Sequence, residues 1–513
     1  MNEQKVLKTA GFMAFATLLA KLCGLIRDSL IAAYFSTGIE ADAFLTASKL
    51  PTLLFDMLLG GVITASFIPV FNSILEKENK EKALSYANKL ISVVFLISGV
   101  ICVLGIIFAD ELVYLQAPDF DVEKHNLTSL LSSIMFPMII FTGLAYSFVG
   151  ILQSFGEFNI PSIISLVSNL VLILYFPFFG KNFGAKGLSI AMVVAWSLQV
   201  VIQIPSLIKL KIKIRPDFNF FDNNIKKTLL LAGPMLISTW VQPLYSIVNS
   251  RFASAIDGAP AVLELANRLY TVLVGVFSFV VTNLIFPKLA RANASNNSDE
   301  SKDLIVTSLK AILLIILPLS IGFIILSKPI TSIIYEHNKF TSDDVILVST
   351  ALKCYAVGMV GFAVNEILSK FFFSLQDSKT PMRNSIFSMI SNIVLAYVMF
   401  RTFKTPGLAL AAAFGSIINA FLNALSVGKK FKGFLSKSDW INILKIITSS
   451  AIMGIITFTL YSVTEAYLYG TVLGNIIICG VCTVISVIAY FIFCYLLRVD
   501  ILRSTLNSFL RKN

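Results

Sequence analysis

The sequence predicts an all-α polytopic membrane protein with 14 transmembrane helices, two six-helix lobes in a parallel pseudo-repeat plus two C-terminal helices. Three observations lead there. The first is composition: of 513 residues, 56% are hydrophobic and 14% charged, and the mean hydropathy is +0.83. Soluble domains carry about 45–50% apolar and about 25% charged residues, so the apolar excess must face lipid. The second is a run of long apolar segments, and the third is an internal repeat.

A span needs about 20 mainly apolar residues. Such segments occur at roughly 8–34, 44–75, 86–110, 126–152, 160–180, 184–208, 228–255, 262–287, 304–326, 344–375, 382–400, 405–428, 440–462 and 471–497. The first, apolar from about Ala10, is too long for a secretory signal and shows no small-residue cleavage site. Pro51, Gly60, Gly61, Pro137, Pro234, Pro243 and Pro318 fall inside spans, where membrane helices tolerate them and can hinge on them. Connections stay under about 20 residues, which leaves no room for a soluble catalytic domain.

The formal charge of +12 would suggest nucleic acid in a soluble protein. Here the cations sort by side. About 25 lie on one side, including Lys5, Lys8, Lys77, Lys80, Lys82, the cluster from Lys209 to Lys227, Lys429, Lys430, Lys437 and the tail. About seven lie on the other: Lys124, Lys181, Lys186, Lys328, Lys339, Arg401 and Lys404. The positive-inside bias places both termini in the cytoplasm, as an even span count requires. The basic balance is then topology and affinity for anionic membrane lipids, with no nucleic-acid partner.

The repeat appears in three pairs. Phe67-Ile-Pro69 matches Ile285-Phe-Pro287, Leu152-Gln-Ser154 matches Leu375-Gln-Asp377, and Gly187-Leu-Ser-Ile-Ala191 matches Gly407-Leu-Ala-Leu-Ala411, all about 220 residues apart. Six helices separate the copies, so the halves share an orientation, with a substrate site expected between lobes. The expected division is an N-lobe at 1–221, a C-lobe at 222–433, and the last two spans with a tail at 434–513. Ile501, Leu502, Leu506, Phe509 and Leu510 beside Arg503 and Arg511 give that tail the pattern of a surface helix.

Cations inside spans cost about 2.5–3.5 kcal/mol each at a helix centre, so they need water or partners. Lys310 and Lys445 lie near span ends, where they can snorkel. Span one carries Lys21, Arg27 and Asp28; span two carries Asp42, Lys49 and Asp56; the equivalent later spans carry Arg251, Glu264 and Arg268. Ala47-Ser-Lys-Leu50 aligns with Ala266-Asn-Arg-Leu269, which pairs Lys49 with Arg268. The plain alternative is internal ion pairing, such as Arg27 with Asp42 or Arg268 with Glu264. Cations outnumber acids, however, and a net-positive cavity suits an anionic substrate whose phosphates match guanidinium bidentately.

Those residues carry a resemblance. Gly24-Leu-Ile-Arg-Asp28, Asp42-Ala-Phe44, Lys49-Leu-Pro51, Ile334 to Thr341 and Ser369 to Pro381 resemble, in order, motifs of the MurJ (MviN) lipid II flippase family. This family belongs to the larger group of multidrug and polysaccharide exporters. The resemblance implies a V-shaped pair of lobes with a cationic cavity that binds the pyrophosphate and sugar-peptide head of lipid II. A groove of spans 13 and 14 would take the lipid tail. It implies a bacterial plasma (inner) membrane location, and cell-wall synthesis machinery as a candidate partner.

Carried over by residue, Arg27, Asp28, Asp42 and Arg268 match functional family positions. Lys21 stands where an Arg is usual, and Asn267 where an Asp often precedes the arginine. The family's basic residues after Leu54 are replaced by Phe55 and Asp56, and Gly60 replaces an acid, which leaves Lys49 or Arg251 to substitute. Some members use acids on span eleven for sodium, but 382–400 has none, so sodium coupling is not implied.

The six cysteines lie in apolar segments, and Cys479-Gly-Val-Cys482 sits within an uncharged run, which reads as helix packing rather than a metal or redox pair. His125 and His337 are the only histidines, so no metal or cofactor is expected. No G-x-x-x-x-G-K-[ST] loop is present, so ATP is not the driver. A membrane glycosyltransferase would need catalytic acids; the only Asp-Asp pair, Asp343-Asp344, reads as the start of span ten. A flippase for another polyprenyl-pyrophosphate-linked glycan remains the alternative, and a cation-drug antiporter fits the cavity charge poorly.

Overall fold

A computed structural model describes residues 3–60, 67–219, 222, 225–226, 228, 240–294, 298–375, 377–431, 433–468 and 471–502. The chain divides into two compact units, Met1–Ala261 and Val262–Asn513.

In the first unit α1 (Glu3–Phe35) precedes α2 (Ile39–Phe55), which runs into one π-helical turn at Asp56–Gly60. There follow α3 (Ile68–Lys77), α4 (Lys80–Ile107), α5 (Ala109–Gln116), α6 (Val122–Met135) and α7 (Met138–Ser154). The long α8 (Asn159–Val201), α9 (Ile204–Lys209) and α10 (Val241–Ala253) come next. The chain enters the second unit through α11 (Ala259–Ala294) and continues as α12 (Ser298–Tyr335), α13 (Ser342–Val357) and α14 (Met359–Ser374). It closes with α15 (Lys379–Lys430), α16 (Lys437–Leu468) and α17 (Val472–Leu496).

No strand occurs among the described residues. Among them, nine helices are long and apolar enough to cross a membrane, or ten when α13 and α14, bent by 45°, count as one broken span. Two of the nine, Asn159–Lys209 and Lys379–Lys430, run for 51 and 52 residues. At about 1.5 Å per residue each exceeds twice the thickness of a bilayer core. Each is interrupted by one left-handed residue, Gly184 (φ 51°, ψ −145°) and Lys404 (φ 56°, ψ −133°). These breaks fall where the sequence separates its spans at 180/184 and at 400/405. At Lys404 a residue with a Cβ takes the conformation that glycine adopts freely.

Gly184 and Lys404 are 220 residues apart, and other local geometry recurs at the same offset. Glu157 N–H donates to the Leu152 carbonyl and Asp377 N–H to the Phe372 carbonyl, both at 2.9 Å. The turns before α6 and α13 close by Phe120 N–H to Ala117 O and Phe340 N–H to His337 O. Each following helix then takes a side-chain N-cap, Asp121 for α6 and Thr341 for α13. A Cβ at Gly187 would collide with the Tyr175 hydroxyl, and one at Gly407 with the Met399 carbonyl, so both glycines are required for space. The repeat legible in the sequence therefore extends to turns, caps and helix breaks.

In the first unit α1 packs along α8, α2 along α6 and α4 along α7. Its cores centre on Phe67, Phe71, Tyr86 and Phe136 in one cluster and on Phe35, Phe44, Leu131 and Phe176 in another. In the second unit α12 packs against α13, α16 and α17. The outward face of α17 carries Ile485, Ile488, Phe491, Ile492 and Tyr495, apolar surface suited to acyl chains. Within the spans the hydroxyls of Ser98, Thr128, Ser132 and Ser147 donate to carbonyls one turn back.

Lys310 reaches Asp439 at 2.8 Å, and Lys445 donates to the Arg498 carbonyl at 3.1 Å, so both find polar partners. Cys479 and Cys482 are free thiols. Of the expected tail helix, residues 503–513 lie outside the described residues, as do the cations Lys227 and Lys432.

Asp377, between α14 and α15, accepts from the Thr380 N–H and hydroxyl and pairs with Lys430 at 3.3 Å. Burial alone pushes this carboxyl up; the Thr380 bonds and the Lys430 ammonium outweigh it and hold the carboxyl below its ordinary range. The stabilisation is present above the ordinary carboxylate range and is lost as acidification passes the lowered value. Asp377→Asn is expected to flatten the acid limb of a stability–pH curve measured by thermal unfolding in detergent. An unchanged acid limb would show that the pairing contributes nothing.

Candidate functional site

Asp28 is buried on α1, and Arg27 beside it is largely covered. The guanidinium places Nε and Nη2 on the Asp28 Oδ1 at 2.9 and 2.7 Å, and Nη1 on the Asn169 Oδ1 at 2.9 Å. Asn169, on the facing α8, is itself held by donating to the Ala20 carbonyl at 3.0 Å. Of the five N–H donors of a guanidinium, three are thus engaged in fixing its plane and two remain for a ligand.

The same side chain lines a cavity of about 280 Å³ inside the first unit. Its wall includes Thr52, Phe55 and Asp56 at the end of α2, Tyr146 on α7, and Ser165, Ser168, Asn169, Trp196 and Gln199 on α8. Asp56 opens the π-helical turn, a kind of helix irregularity common at functional sites. Chemically the cavity offers an oriented cation, a carboxylate, two amides and several hydroxyls against aromatic walls.

Asp42 belongs to a different arrangement. It is completely buried, and its carboxylate accepts three hydrogen bonds from three groups. Lys124 Nζ and the Gly258 N–H reach Oδ2 at 3.1 and 2.8 Å, and the Ala261 N–H reaches Oδ1 at 3.0 Å. Lys124 also pairs with Asp257 at 2.6 Å and sits 5.0 Å over the Phe120 ring. Gly258 takes φ +76°, and a Cβ there would meet the Thr37 carbonyl at 2.9 Å, so glycine is needed for the turn that brings these amides to Asp42. A carboxylate at the exposed N–H groups that open a helix is electrostatically favoured.

The structure therefore pairs Arg27 with Asp28 and Asn169, not with Asp42. Lys21 is half-buried with no partner among the described residues, and Lys49 is also half-buried. Arg251 is exposed and donates to the Leu115 carbonyl at 3.4 Å. In the second unit Arg268 pairs with Glu264 at 2.8 Å and stays about half exposed, while Asn267 is half-buried. Lys124, placed by sequence among cations of an outer connection, is buried with Asp42 in an ion-pair cluster. Its position in the first turn of a helix capped by Asp121 was the available signal. Asn169 and Gln199 carried none, since single amides in apolar spans are common packing residues.

The model of the lipid II flippase MurJ family matches residues 31–478. The probable lipid II flippase MurJ of Buchnera aphidicola subsp. Schizaphis graminum is 29% identical, with 100% of both chains covered. That of Rickettsia prowazekii is 29% identical over 95% of this chain and 97% of its own. A solved lipid II flippase MurJ in an inward closed conformation superposes with a TM-score of 0.81 at 23% identity, covering 95% of this chain and 99% of that one. An inward-facing multidrug resistance MATE transporter of the MOP superfamily gives 0.69 at 15% identity, covering 81% and 95%. With a family match along most of its length and helical spans to accompany it, the chain belongs to the lipid II flippase MurJ family.

Proposed function

We propose that this protein carries lipid II from the cytoplasmic to the outer leaflet of the bacterial inner membrane by alternating access. It would do so with 14 passes, both termini in the cytoplasm and the two lobes in parallel repeat. The observation that carries the reading is Arg27: a largely covered guanidinium on α1, oriented by Asp28 and Asn169, with donors left on a cavity wall. Asp28 offsets the cost of keeping the cation there, and the donors left over form part of a planar fork that a pyrophosphate accepts better than a point charge. Asp28 positions Arg27. Lys21, Lys49, Arg251, Asn267 and Arg268 are proposed as further headgroup contacts, and Asp42 as the residue that organises the turn at Gly258. An inside-negative potential contributes about 2.3 kcal/mol per charge per 100 mV.

A flippase for a different polyprenyl-pyrophosphate-linked glycan would use the same cation. Rescue separates the two. Expression of this chain in a strain depleted of its lipid II flippase is expected to restore growth and shape. Failure to rescue while the protein is inserted and folded would favour the other glycan.

A further inference from the structure

We infer that the segment after α9 is a docking site for a cytoplasmic protein, which it would bind through an extended, acidic stretch of that partner's chain. None of its residues lines the Arg27 cavity, so the inference does not depend on the headgroup reading. Lys211 takes the left-handed conformation just past α9, with φ 56°. Its N–H donates to the Ile208 carbonyl and that of Ile212 to the Leu207 carbonyl, both at 2.9 Å, a turn that ends the helix. The chain then follows α4. Lys80 Nζ donates to the Leu210 carbonyl at 2.9 Å. The Asn88 amide donates to the Lys213 carbonyl at 3.4 Å and accepts from the Arg215 N–H at 3.1 Å. The Asp217 N–H donates to Ser92 Oγ at 2.9 Å. Ile212 and Ile214 turn inward onto the core around Phe71 and Tyr86, whereas Lys211, Lys213 and Arg215 are exposed. This alternation is that of an extended backbone.

Three cations thus share one face at intervals of about 6–7 Å, twice the rise of a strand, and form no ion pair among the described residues. Held in place by the backbone, they repel one another, and a row of carboxylates would relieve that repulsion. An extended peptide has the same period, so acids at its alternate positions would meet all three. The direction of the row favours a protein over a lipid surface. Its contacts pass from Lys80 through Asn88 to Ser92, so it runs along the α4 axis. The exposed large apolar residues of α4 begin at Phe95 and continue to Ile107. A bilayer core takes about 20 helical residues, which from Ile107 reaches back to Asn88. The row therefore stands out of the core, on the side that the charge bias assigns to the cytoplasm. Anionic headgroups lie in a plane across that direction and would reach the Arg215 end, not Lys211.

The test measures binding of two short fluorescent peptides of one composition to the full chain in phosphatidylcholine nanodiscs. One carries Glu at alternate positions, the other carries the same Glu residues in a block. The wild type is expected to bind the alternating peptide about tenfold more tightly, since exposed ion pairs are individually weak and three act together. The triple variant Lys211→Glu, Lys213→Glu, Arg215→Glu is expected to lose that preference while keeping wild-type transport and thermal stability. The same reversal at Lys181, Lys186 and Lys339, also exposed, changes the net charge equally and should leave the preference intact. Equal wild-type affinity for the two peptides, or a preference that survives in the folded triple variant, would overturn the docking site. A stabilisation by phosphatidylglycerol that only the triple variant loses, with no peptide preference in the wild type, would assign the row to lipid and overturn it as well.

Discussion

Arg27→Ala is expected to lower lipid II headgroup transport about 10- to 100-fold. A hydrogen bond to a charged group is worth about 1.5–3 kcal/mol, and each 1.36 kcal/mol is about tenfold in rate. Arg27→Lys should recover only part of this. An ammonium has no rigid fork and cannot hold Asp28 and Asn169 while presenting two further donors in one plane. The measurement is transport per folded protein at matched membrane abundance. Wild-type rates in Arg27→Ala would remove Arg27 from the binding machinery, and full recovery in Arg27→Lys would reduce its part to simple charge.

The second large effect concerns stability. Lys124→Met leaves the Asp42 carboxylate buried with its backbone N–H donors but without its cation, while Asp257 on the other side is exposed. Removing one partner of a buried pair costs about 3–5 kcal/mol. Asp42→Asn should cost less, because Lys124 keeps Asp257 and the amide oxygen still accepts from Gly258 or Ala261. The double variant should be more stable than Lys124→Met alone, since the uncompensated charge is gone. Thermal unfolding of the three purified proteins in one detergent checks the order. A double variant no better than the lysine variant would show that the two charges are not coupled.

Much of the fold was legible because its signals are physical requirements of the bilayer. Span length, low charge and the repeat of Gly187 and Gly407 all follow from hydrocarbon thickness and close packing. The structure then extends the repeat to Gly184 and Lys404 and to the caps at Asp121 and Thr341. The site was partly legible. Arg27 and Asp28 stood out as charges in an apolar span, and the Arg268–Glu264 pair is the i,i+4 contact that helical spacing allows. Three features were not legible. Hydropathy puts Lys124 in a connection and does not show that its long side chain turns inward. The partners of Asp42 come from residues 82 to 219 positions away, beyond any local pattern. The amides of Asn169 and Gln199 gain meaning only when the cavity they line is seen.

The central claim is tested most directly by translocation itself. The purified full-length chain is reconstituted in proteoliposomes with lipid II, and headgroup exposure on the opposite leaflet is followed after an inside-negative potential is imposed. The account predicts that lipid II headgroups cross at a rate that depends on the protein and on Arg27. Crossing no faster than in protein-free vesicles, from preparations in which the chain is folded, would contradict it.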